Sequence, residues 1–206
     1  NYIPYNELLG LIEWTKSKSM QFIVDESFVD FVDVDGEFSL LSNDILENNP
    51  HLVVVKSISK SYGVPGFRLG VLASGNTEMI ARLKKEVAIW NINSFGEFYM
   101  QIYEKYHKEY LKACVLFRKE RQKFFEELQE IDFLRVIPSQ ANYFLCELTT
   151  SRFTSTQLAV RLLADHDILI KDCAGKSAFS RGNYIRLAVR DRRDNHKLVE
   201  ALKTFE

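Results

Sequence analysis

Two short apolar runs constrain the fold of this chain more than any other feature. Phe22-Ile23-Val24 and Leu52-Val53-Val54-Val55 contain no alternating polar residues, a pattern typical of strands that are buried on both faces. A helical pattern over Tyr5–Ser17 precedes the first run, and a loop rich in serine and glycine follows the second, from Ser57 to Gly66. The sequence therefore predicts an open α/β sheet with helices, whose third strand covers Leu69–Ser74.

The pattern changes after Phe95. From there to Leu128, apolar and aromatic residues recur at helical spacing, which predicts one or two long helices. Beyond Phe133 the chain predicts a small α+β layer, with strands at 134–137, 142–147, 168–173 and 184–189, a helix near 156–165 and a closing helix. We therefore predict two domains, residues 1–104 with the larger sheet, and residues 105–206 with an interdomain helix and a small C-terminal domain.

Composition excludes several classes of protein. The chain has 206 residues, of which 46% are hydrophobic and 27% charged, so a disordered chain or a coiled coil is excluded. A net charge of −1 argues against nucleic acid or a membrane surface as partner. No run of about 18 apolar residues and no signal peptide pattern occur. Three cysteines without CxxC spacing favour the cytoplasm, and four scattered histidines predict no metal site.

The loop from Ser57 to Gly70 carries the residues best suited to chemistry. Lys60 and Arg68 lie among small residues after a buried strand, where α/β sheets place their ligands. Serine hydroxyls at positions 57, 59 and 61 beside a cation suit a phosphate, which Arg68 could clamp. A lysine held near another cation in a partly desolvated site can act as a nucleophilic amine. By spacing alone, solvated loop charges are an equally good explanation.

The spacing around Lys60 resembles a known signature. Small residues at Ser57 and Ser59, Gly63 three positions after the lysine and Arg68 eight positions after it are similar to the lysine motif of fold-type I pyridoxal-phosphate enzymes, in the class I and II aminotransferase family. The resemblance implies pyridoxal 5′-phosphate as cofactor and Lys60 as the Schiff-base lysine. It also implies that Lys60 later moves a proton between the substrate Cα and the cofactor C4′. It also implies that Ser57 and Arg68 hold the cofactor phosphate.

A second motif, Asp25-Glu26-Ser27-Phe28, resembles the family's Asp-Glu-Ala-Tyr. The resemblance implies that Asp25 pairs with the pyridinium nitrogen, where a carboxylate keeps the ring protonated. Phe28 would lie beside the cofactor but lacks the hydroxyl of the more common tyrosine, a substitution similar to the threonine-phosphate decarboxylase branch. By position alone, an aspartate that caps a turn at the strand end is the more common case.

The segment Tyr184–Arg190 resembles the small-domain strand whose arginine binds the substrate α-carboxylate, and Arg186 aligns with that arginine. Strand alternation places Arg186 and Arg190 on one face and the apolar residues on the other. An edge-strand arginine that faces solvent is the alternative. Lys171, Arg181 and Arg190 are further candidates for binding a substrate phosphate or phosphonate.

Two other segments narrow the resemblance. Trp90-Asn91-Ile92-Asn93-Ser94 and Pro138-Ser139-Gln140-Ala141-Asn142-Tyr143-Phe144 are similar to segments of the histidinol-phosphate aminotransferase and threonine-phosphate decarboxylase branch. The resemblance implies that Asn93 and Asn142 bind substrate. It also implies a homodimer, with the aromatic residues from Phe95 to Tyr110 in the core and at the subunit contact.

The function that we predict is pyridoxal-phosphate-dependent transamination of an amino acid or amino-phosphate, the more common reaction in the family. The alternative is decarboxylation of a phosphorylated amino acid. A similar C-terminal segment also occurs in aminotransferase-like domains that are fused to a nucleotidyltransferase, so the alternative includes such a fusion. A third possibility is a remnant without catalysis. A cofactor-free Schiff-base lyase would need a lysine, but it would not need Asp25 to face a ring nitrogen.

The first residues of the chain resemble the end of the family's Asn-Pro-x-Gly-Asn motif, with Asn1 as its last residue. Family members are much longer than this chain and carry further cofactor contacts before that motif. We therefore expect these 206 residues, taken alone, to bind cofactor weakly and to turn over poorly.

Overall fold

A computed structural model describes residues 2–34, 36, 38–177 and 183–206. They divide into two compact units, the first up to Cys114 and the second from Val115 to Glu206. The division falls inside the long helix His107–Gln129. The domain boundary that the sequence places after residue 104 stays a prediction.

The first unit is built on a mixed three-stranded sheet. Its strands are β1 (Phe22–Asp25), β2 (Leu52–Ser57) and β3 (Gly70–Ala73). The central strand β2 pairs in parallel with β1 and antiparallel with β3. The register puts Asp25 opposite Val55, and Ser57 opposite Gly70. The carboxyl ends of β1 and β2 therefore lie at one edge of the sheet, and both strands end there in predicted site residues.

Helices precede, connect and follow these strands. They are α1 (Tyr5–Ser17), α2 (Asn43–Asn48), α3 (Ile58–Ser61), α4 (Thr77–Glu86), α5 (Ser94–Ile102) and α6 (His107–Gln129). The helix predicted over α1 is confirmed, and the long amphipathic stretch forms two α-helices, α5 and α6. The sequence analysis did not predict α2 and α4. Both have a side-chain cap, because Ser42 and Asn76 accept hydrogen bonds from the backbone N–H groups of Ile45 and Met79.

The core of this unit forms where α1 packs against the sheet. Leu8 and Ile12 of α1 cluster with Leu40, Leu52 and Val54. The prediction that β1 is fully buried is wrong, since Ile23 is 64% exposed. The reason is that β1 is an edge strand here, so its side chains alternate between the core cluster and the surface.

The second unit is the small α+β layer that the sequence predicts. Its elements are β4 (Leu134–Ile137), β5 (Tyr143–Leu148), α7 (Ser155–His166), β6 (Lys171–Asp172), β7 (Tyr184–Ala188) and α8 (Arg192–Lys203). The strands pair antiparallel in the order β4-β5-β7-β6. Phe124 and Leu128 of α6, Leu158 and Leu162 of α7 and Leu202 of α8 are fully buried in its core.

One strand of this unit is much shorter than predicted. The sequence predicts a strand over residues 168–173, but only Lys171 and Asp172 pair with β7. Asp167 ends α7 in the left-handed region (φ 55°), and the N–H of Ile168 donates back to the carbonyl of Leu162. The helix cap therefore uses the residues that would have begun the strand.

The alternation predicted for β7 is confirmed. Ile185, Leu187 and Val189 are buried in the core, whereas Arg186 and Arg190 are exposed. The predicted fold class, an α/β sheet unit followed by a small α+β unit, is therefore what the chain forms.

The three cysteines, Cys114, Cys146 and Cys173, are buried and free. Burial raises the pKa of the Cys146 thiol to about 12, because the thiolate would lose its hydration. Among the helices described, none is both long and apolar enough to cross a bilayer.

Two adjacent leucines of α7 test the core of the second unit. Leu162 is fully buried and Leu163 is 49% exposed. We expect Leu162→Ala to lower the free energy of unfolding by about 2–5 kcal/mol, through lost burial and a residual cavity. Leu163→Ala, the matched control, should change it by less than about 0.5 kcal/mol. Urea unfolding followed by circular dichroism measures both, and equal losses would contradict this packing.

Candidate active site

The segment from Ser57 to Gly70 is a closed loop at the end of β2. Ser59 closes it: its buried hydroxyl accepts a hydrogen bond from the Leu69 N–H at 2.9 Å, and its own N–H donates to the Leu69 carbonyl at 3.3 Å. The Ser59 hydroxyl thus holds the loop together, whereas the sequence analysis grouped it with the phosphate donors. That correction follows from its burial between the two ends of the loop.

Lys60 lies in the single turn α3 and is exposed. Its Nζ lies 4.6 Å from the ring centre of Phe28, a cation–π contact. The predicted partial desolvation of Lys60 is not seen in this chain, because α3 is one turn at the open edge of the sheet. The contact does bring together two residues that the sequence assigns to one site.

Asp25, the last residue of β1, lies beside this lysine. Its Oδ1 accepts a hydrogen bond from the Ser27 N–H at 2.8 Å. Burial alone would raise the pKa of Asp25, but hydrogen bonds from the Ser27 hydroxyl and N–H and the positive charge of Lys60 outweigh it and lower the pKa. The ionised Asp25 therefore stabilises the fold at neutral pH, and this contribution is lost as the pH falls through the lowered pKa.

The next residue, Glu26, holds this turn in place from the inside. It is buried, and its carboxylate accepts hydrogen bonds from the Leu40 N–H at 2.6 Å and the Ser39 hydroxyl at 2.7 Å. Its own N–H donates to the Val55 carbonyl at 2.8 Å, which extends the β1–β2 ladder by one bond. This role of Glu26 was not predicted from the sequence, since the residue type alone does not show that the carboxylate is buried among backbone donors.

Ser27 connects the two halves of the site. It is 4% exposed, and its hydroxyl oxygen accepts a hydrogen bond from the Ser57 N–H at 3.0 Å. Ser57 is therefore fixed directly to the turn that carries Asp25. Ser57, one of the serines considered for phosphate binding, is the last residue of β2 and directly precedes α3.

Arg68 and Asn93 each donate a hydrogen bond to a backbone carbonyl of the lysine loop. Arg68 is exposed and has a left-handed backbone (φ 55°), which costs a residue with a side chain about 1–2 kcal/mol. Its guanidinium donates to the Pro65 carbonyl at 3.2 Å. The Asn93 amide accepts from the Gly96 N–H at 2.9 Å, capping α5, and donates to the Phe67 carbonyl at 2.8 Å. Asn93 thus positions the loop that presents Arg68.

A buried ion pair connects β2 to the segment that follows β1. Lys56 Nζ lies 2.7 Å from Asp30 Oδ1, and the two side chains are 11% and 13% exposed. Lys56 also lies 5.9 Å from the ring centre of Tyr62, which stacks on Tyr110 at 4.3 Å. Burial raises the pKa of Tyr62, so this ring stays neutral. The sequence analysis missed the pair, for which the only signal is a lysine directly after an apolar run.

The aromatic residues from Phe95 to Tyr110 divide between two environments. Tyr103 and Tyr110 pack against Tyr62 of the lysine loop, with ring centres 4.9 and 4.3 Å away. Phe95, in contrast, is 75% exposed. Tyr103 and Tyr110 are therefore half-buried against the lysine loop, whereas Phe95 is not packed in a core.

The remaining predicted residues lie in the second unit. The Arg186 guanidinium lies 4.8 Å from the ring centre of Tyr143, and the register places Lys171 directly opposite Arg186. The Asn142 carbonyl accepts from the Val189 N–H at 2.9 Å. Arg190 forms an ion pair with Asp194 at 2.5 Å, so it is engaged within its own unit. Arg181 lies outside the described residues.

The matched family agrees with this arrangement. Residues 2–202 match the family model described as aminotransferase class I and II. The chain belongs to the class I and II aminotransferase family. The proteins that are similar to this chain include both aminotransferases and decarboxylases. They belong to the histidinol-phosphate aminotransferase and threonine-phosphate decarboxylase branch, as the sequence predicts.

Pyridoxal phosphate is the cofactor of this family, and the residues of the first unit fit it. Lys60 supplies an amine, and Asp25 a carboxylate whose hydrogen bonds keep it ionised. Arg68 supplies an exposed cation on a serine- and glycine-containing loop. These groups are the nucleophile, the hydrogen-bond acceptor and the cation that an aldehyde, a protonated pyridine nitrogen and a phosphate require.

Individual relatives are similar to this chain over most of its length. The CMP-5′-(3-aminopropyl)phosphonate synthase of Streptomyces rubellomurinus is 34% identical over 87% of this chain and 28% of its own length. The L-serine phosphate decarboxylase of Sulfurospirillum multivorans is 34% identical over 90% of this chain and 47% of its own length. The chain thus spans at most about half of these relatives.

A solved structure supports the same placement. The structure of a decarboxylase from Sulfurospirillum multivorans superposes with a TM-score of 0.87 and 31% identity, and the match covers 99% of this chain and 57% of that one. The fold of both units is therefore that of this family.

The contribution of the Lys56–Asp30 ion pair to stability can be tested by substitution. We expect Lys56→Met to lower the free energy of unfolding by about 3–5 kcal/mol, because it leaves the Asp30 carboxylate buried without its cation. The added change Asp30→Asn should restore a large part of that loss, since it removes the orphaned charge. Urea unfolding of the single and double variants measures the coupling. Losses that simply add would show that the pair is not coupled.

Proposed function

We propose that the protein containing this chain uses pyridoxal phosphate to decarboxylate a phosphorylated amino acid. The observation that carries the proposal is the 34% identity to a decarboxylase of L-serine phosphate over 90% of the chain. Phe28 supports it, since phenylalanine at this position is similar to the threonine-phosphate decarboxylase branch. Transamination, which the sequence analysis preferred, is the second candidate, because the family model is described by that reaction.

The residues of the first unit would hold the cofactor. Pyridoxal phosphate supplies an aldehyde that captures amines and a ring that accepts an electron pair. Lys60 Nζ would hold the cofactor's aldehyde, and the same Nζ would deliver a proton to the substrate Cα. Asp25, ionised at neutral pH, would pair with the pyridine nitrogen and keep it protonated. Ser57 and Arg68 would bind the phosphate.

The residues of the second unit would hold the substrate. Arg186 is a fork-shaped donor that matches a carboxylate or a phosphate, and Lys171 lies directly opposite it across the strand pair. Like charges at directly opposite positions destabilise a sheet. A substrate with two anionic groups neutralises both cations, which favours an amino acid that also carries a phosphate. Arg190, paired with Asp194, is a weaker candidate for this role.

The bond that stands perpendicular to the cofactor ring is the one that breaks. Decarboxylation requires the Cα–carboxylate bond there, and transamination requires the Cα–H bond. Which anionic group Arg186 and Lys171 take therefore decides the reaction. A test of the proposal must follow both products from one substrate.

Covalent trapping tests the cofactor site. We expect the full-length protein with pyridoxal phosphate to show a visible absorption band, and borohydride reduction followed by peptide mapping to find the label on Lys60. Lys60→Ala should lose the label, whereas Lys84→Ala, a lysine of α4, should keep it. Label on another lysine, or none in the wild type, would overturn the assignment and favour a role without catalysis.

Product analysis tests the reaction. We expect L-serine phosphate or L-threonine phosphate to release carbon dioxide without a keto-acid acceptor. Amino transfer to an added acceptor, without release of carbon dioxide, would replace decarboxylation by transamination.

Arg186 provides a test of substrate binding. Loss of a charged hydrogen bond is worth about 1.5–3 kcal/mol, so Arg186→Ala should lower kcat/KM roughly 10- to 100-fold. Arg190→Ala, on the same face of β7, is the matched control and should have a much smaller effect. Equal effects of the two variants on kcat/KM would contradict the role of Arg186.

We also propose that the protein is a homodimer, as the family resemblance implies. Trp90 and Phe95 are 91% and 75% exposed, and large apolar side chains that are exposed to this extent favour a contact surface. Phe95→Asp should shift the mass from dimer to monomer in light scattering, while Val160→Asp, an exposed valine of α7, should leave it unchanged.

A further inference from the structure

Ser27 makes contacts that an alanine at its position could not make. The motif that it belongs to resembles the family's Asp-Glu-Ala-Tyr, so a hydroxymethyl group stands here in place of a methyl group. This hydroxyl is buried, with only 4% of the residue exposed. A buried hydroxyl costs free energy unless it is hydrogen-bonded, so its partners indicate what the residue does.

Both hydrogen-bonding capacities of the hydroxyl are used. Its oxygen accepts from the Ser57 N–H at 3.0 Å, and its hydrogen is donated to the Asp25 carboxylate. The Ser27 N–H donates to the same carboxylate, at 2.8 Å from Oδ1. Asp25 is therefore held by two donors from one residue, which fixes its orientation better than one donor would.

The order of these bonds makes them cooperative. A hydroxyl that accepts a hydrogen bond becomes a stronger donor in the next one. The Ser57 N–H, at the start of the lysine loop, thus strengthens the bond from Ser27 to Asp25. The turn after β1 and the loop after β2 are connected through this single side chain.

Other groups near Asp25 do not replace this link. Lys60 is the charged group that acts on the Asp25 carboxylate. The neighbouring carboxylate, Glu26, is occupied by the Leu40 N–H and the Ser39 hydroxyl.

We propose that Ser27 is a positioning residue, which holds the Asp25 carboxylate ionised and oriented toward the cofactor's pyridine nitrogen and ties it to Ser57 of the lysine loop. The proposal rests on the proposed function, in which Asp25 faces that nitrogen. Ser27 itself touches neither the cofactor nor the substrate in this role.

The test compares Ser27→Ala with Ser27→Thr in the full-length protein. The first readout is the pKa of Asp25 in the cofactor-free protein, measured by NMR of labelled aspartate carboxyls. Ser27→Ala should raise it by about one unit, because a donor to the charged form is lost. Ser27→Thr keeps a hydroxyl and should restore the wild-type value.

The second readout is the pH titration of the bound cofactor's visible absorbance, together with the dissociation constant of pyridoxal phosphate. Ser27→Ala should shift the titration midpoint and weaken cofactor binding about 5-fold, as expected for roughly 1 kcal/mol. Ser39→Ala is the matched control, since it removes another serine hydroxyl, a half-buried one, from Glu26, the neighbouring carboxylate of the same motif. It should leave the pKa of Asp25 and the absorbance titration unchanged.

The outcomes separate the two proposals. If Ser27→Ala lowers stability but leaves the pKa of Asp25 at the wild-type value, Ser27 is merely structural and the inference is wrong. If the pKa moves while the absorbance titration and cofactor affinity do not, the link to the cofactor is wrong. Failure of the proposed function has a different signature, because the wild type would then carry no borohydride label on Lys60.

Discussion

The parallel pairing of β1 with β2 is the interaction on which the rest of the candidate site depends. In a parallel pair the carboxyl ends of both strands lie at the same edge, so the register that sets Asp25 opposite Val55 also brings Asp25 close to the loop after Ser57. The bond from the Glu26 N–H to the Val55 carbonyl continues this register one residue beyond the strand. A shift by one residue would turn Asp25 to the other face and separate it from Lys60.

Buried polar contacts then give the edge its shape. The turn after β1 is held by the Glu26 carboxylate and by the ion pair of Asp30 with Lys56, and the lysine loop is closed by the Ser59 hydroxyl. A buried polar group that loses its partner costs more than the bond gains, so each contact excludes other loop conformations strongly. Lys60 can therefore be exposed and still have a defined neighbour in Phe28.

The sequence predicted the family of this chain better than the surroundings of the candidate site. The lysine motif and Asp-Glu-Ser-Phe pointed to the family because few families combine these residue types at this spacing, while the roles of Lys60 and Asp25 stay predictions. Burial and partners depend on tertiary context, which spacing does not contain. For that reason β1 was predicted to be fully buried although Ile23 is exposed, and the Ser59 hydroxyl was assigned to phosphate although it closes the loop.

The two units differ in what their charges require. In the first unit two carboxylates have cationic partners within the chain, since Asp25 lies near Lys60 and Asp30 pairs with Lys56. In the second unit Arg186 and Lys171 stand directly opposite each other, an arrangement whose repulsion an anion relieves. A single carboxylate offsets one of these charges, whereas a carboxylate with a phosphate offsets both. The proposed preference for phosphorylated amino acids rests on this pairing of two cations across β6 and β7.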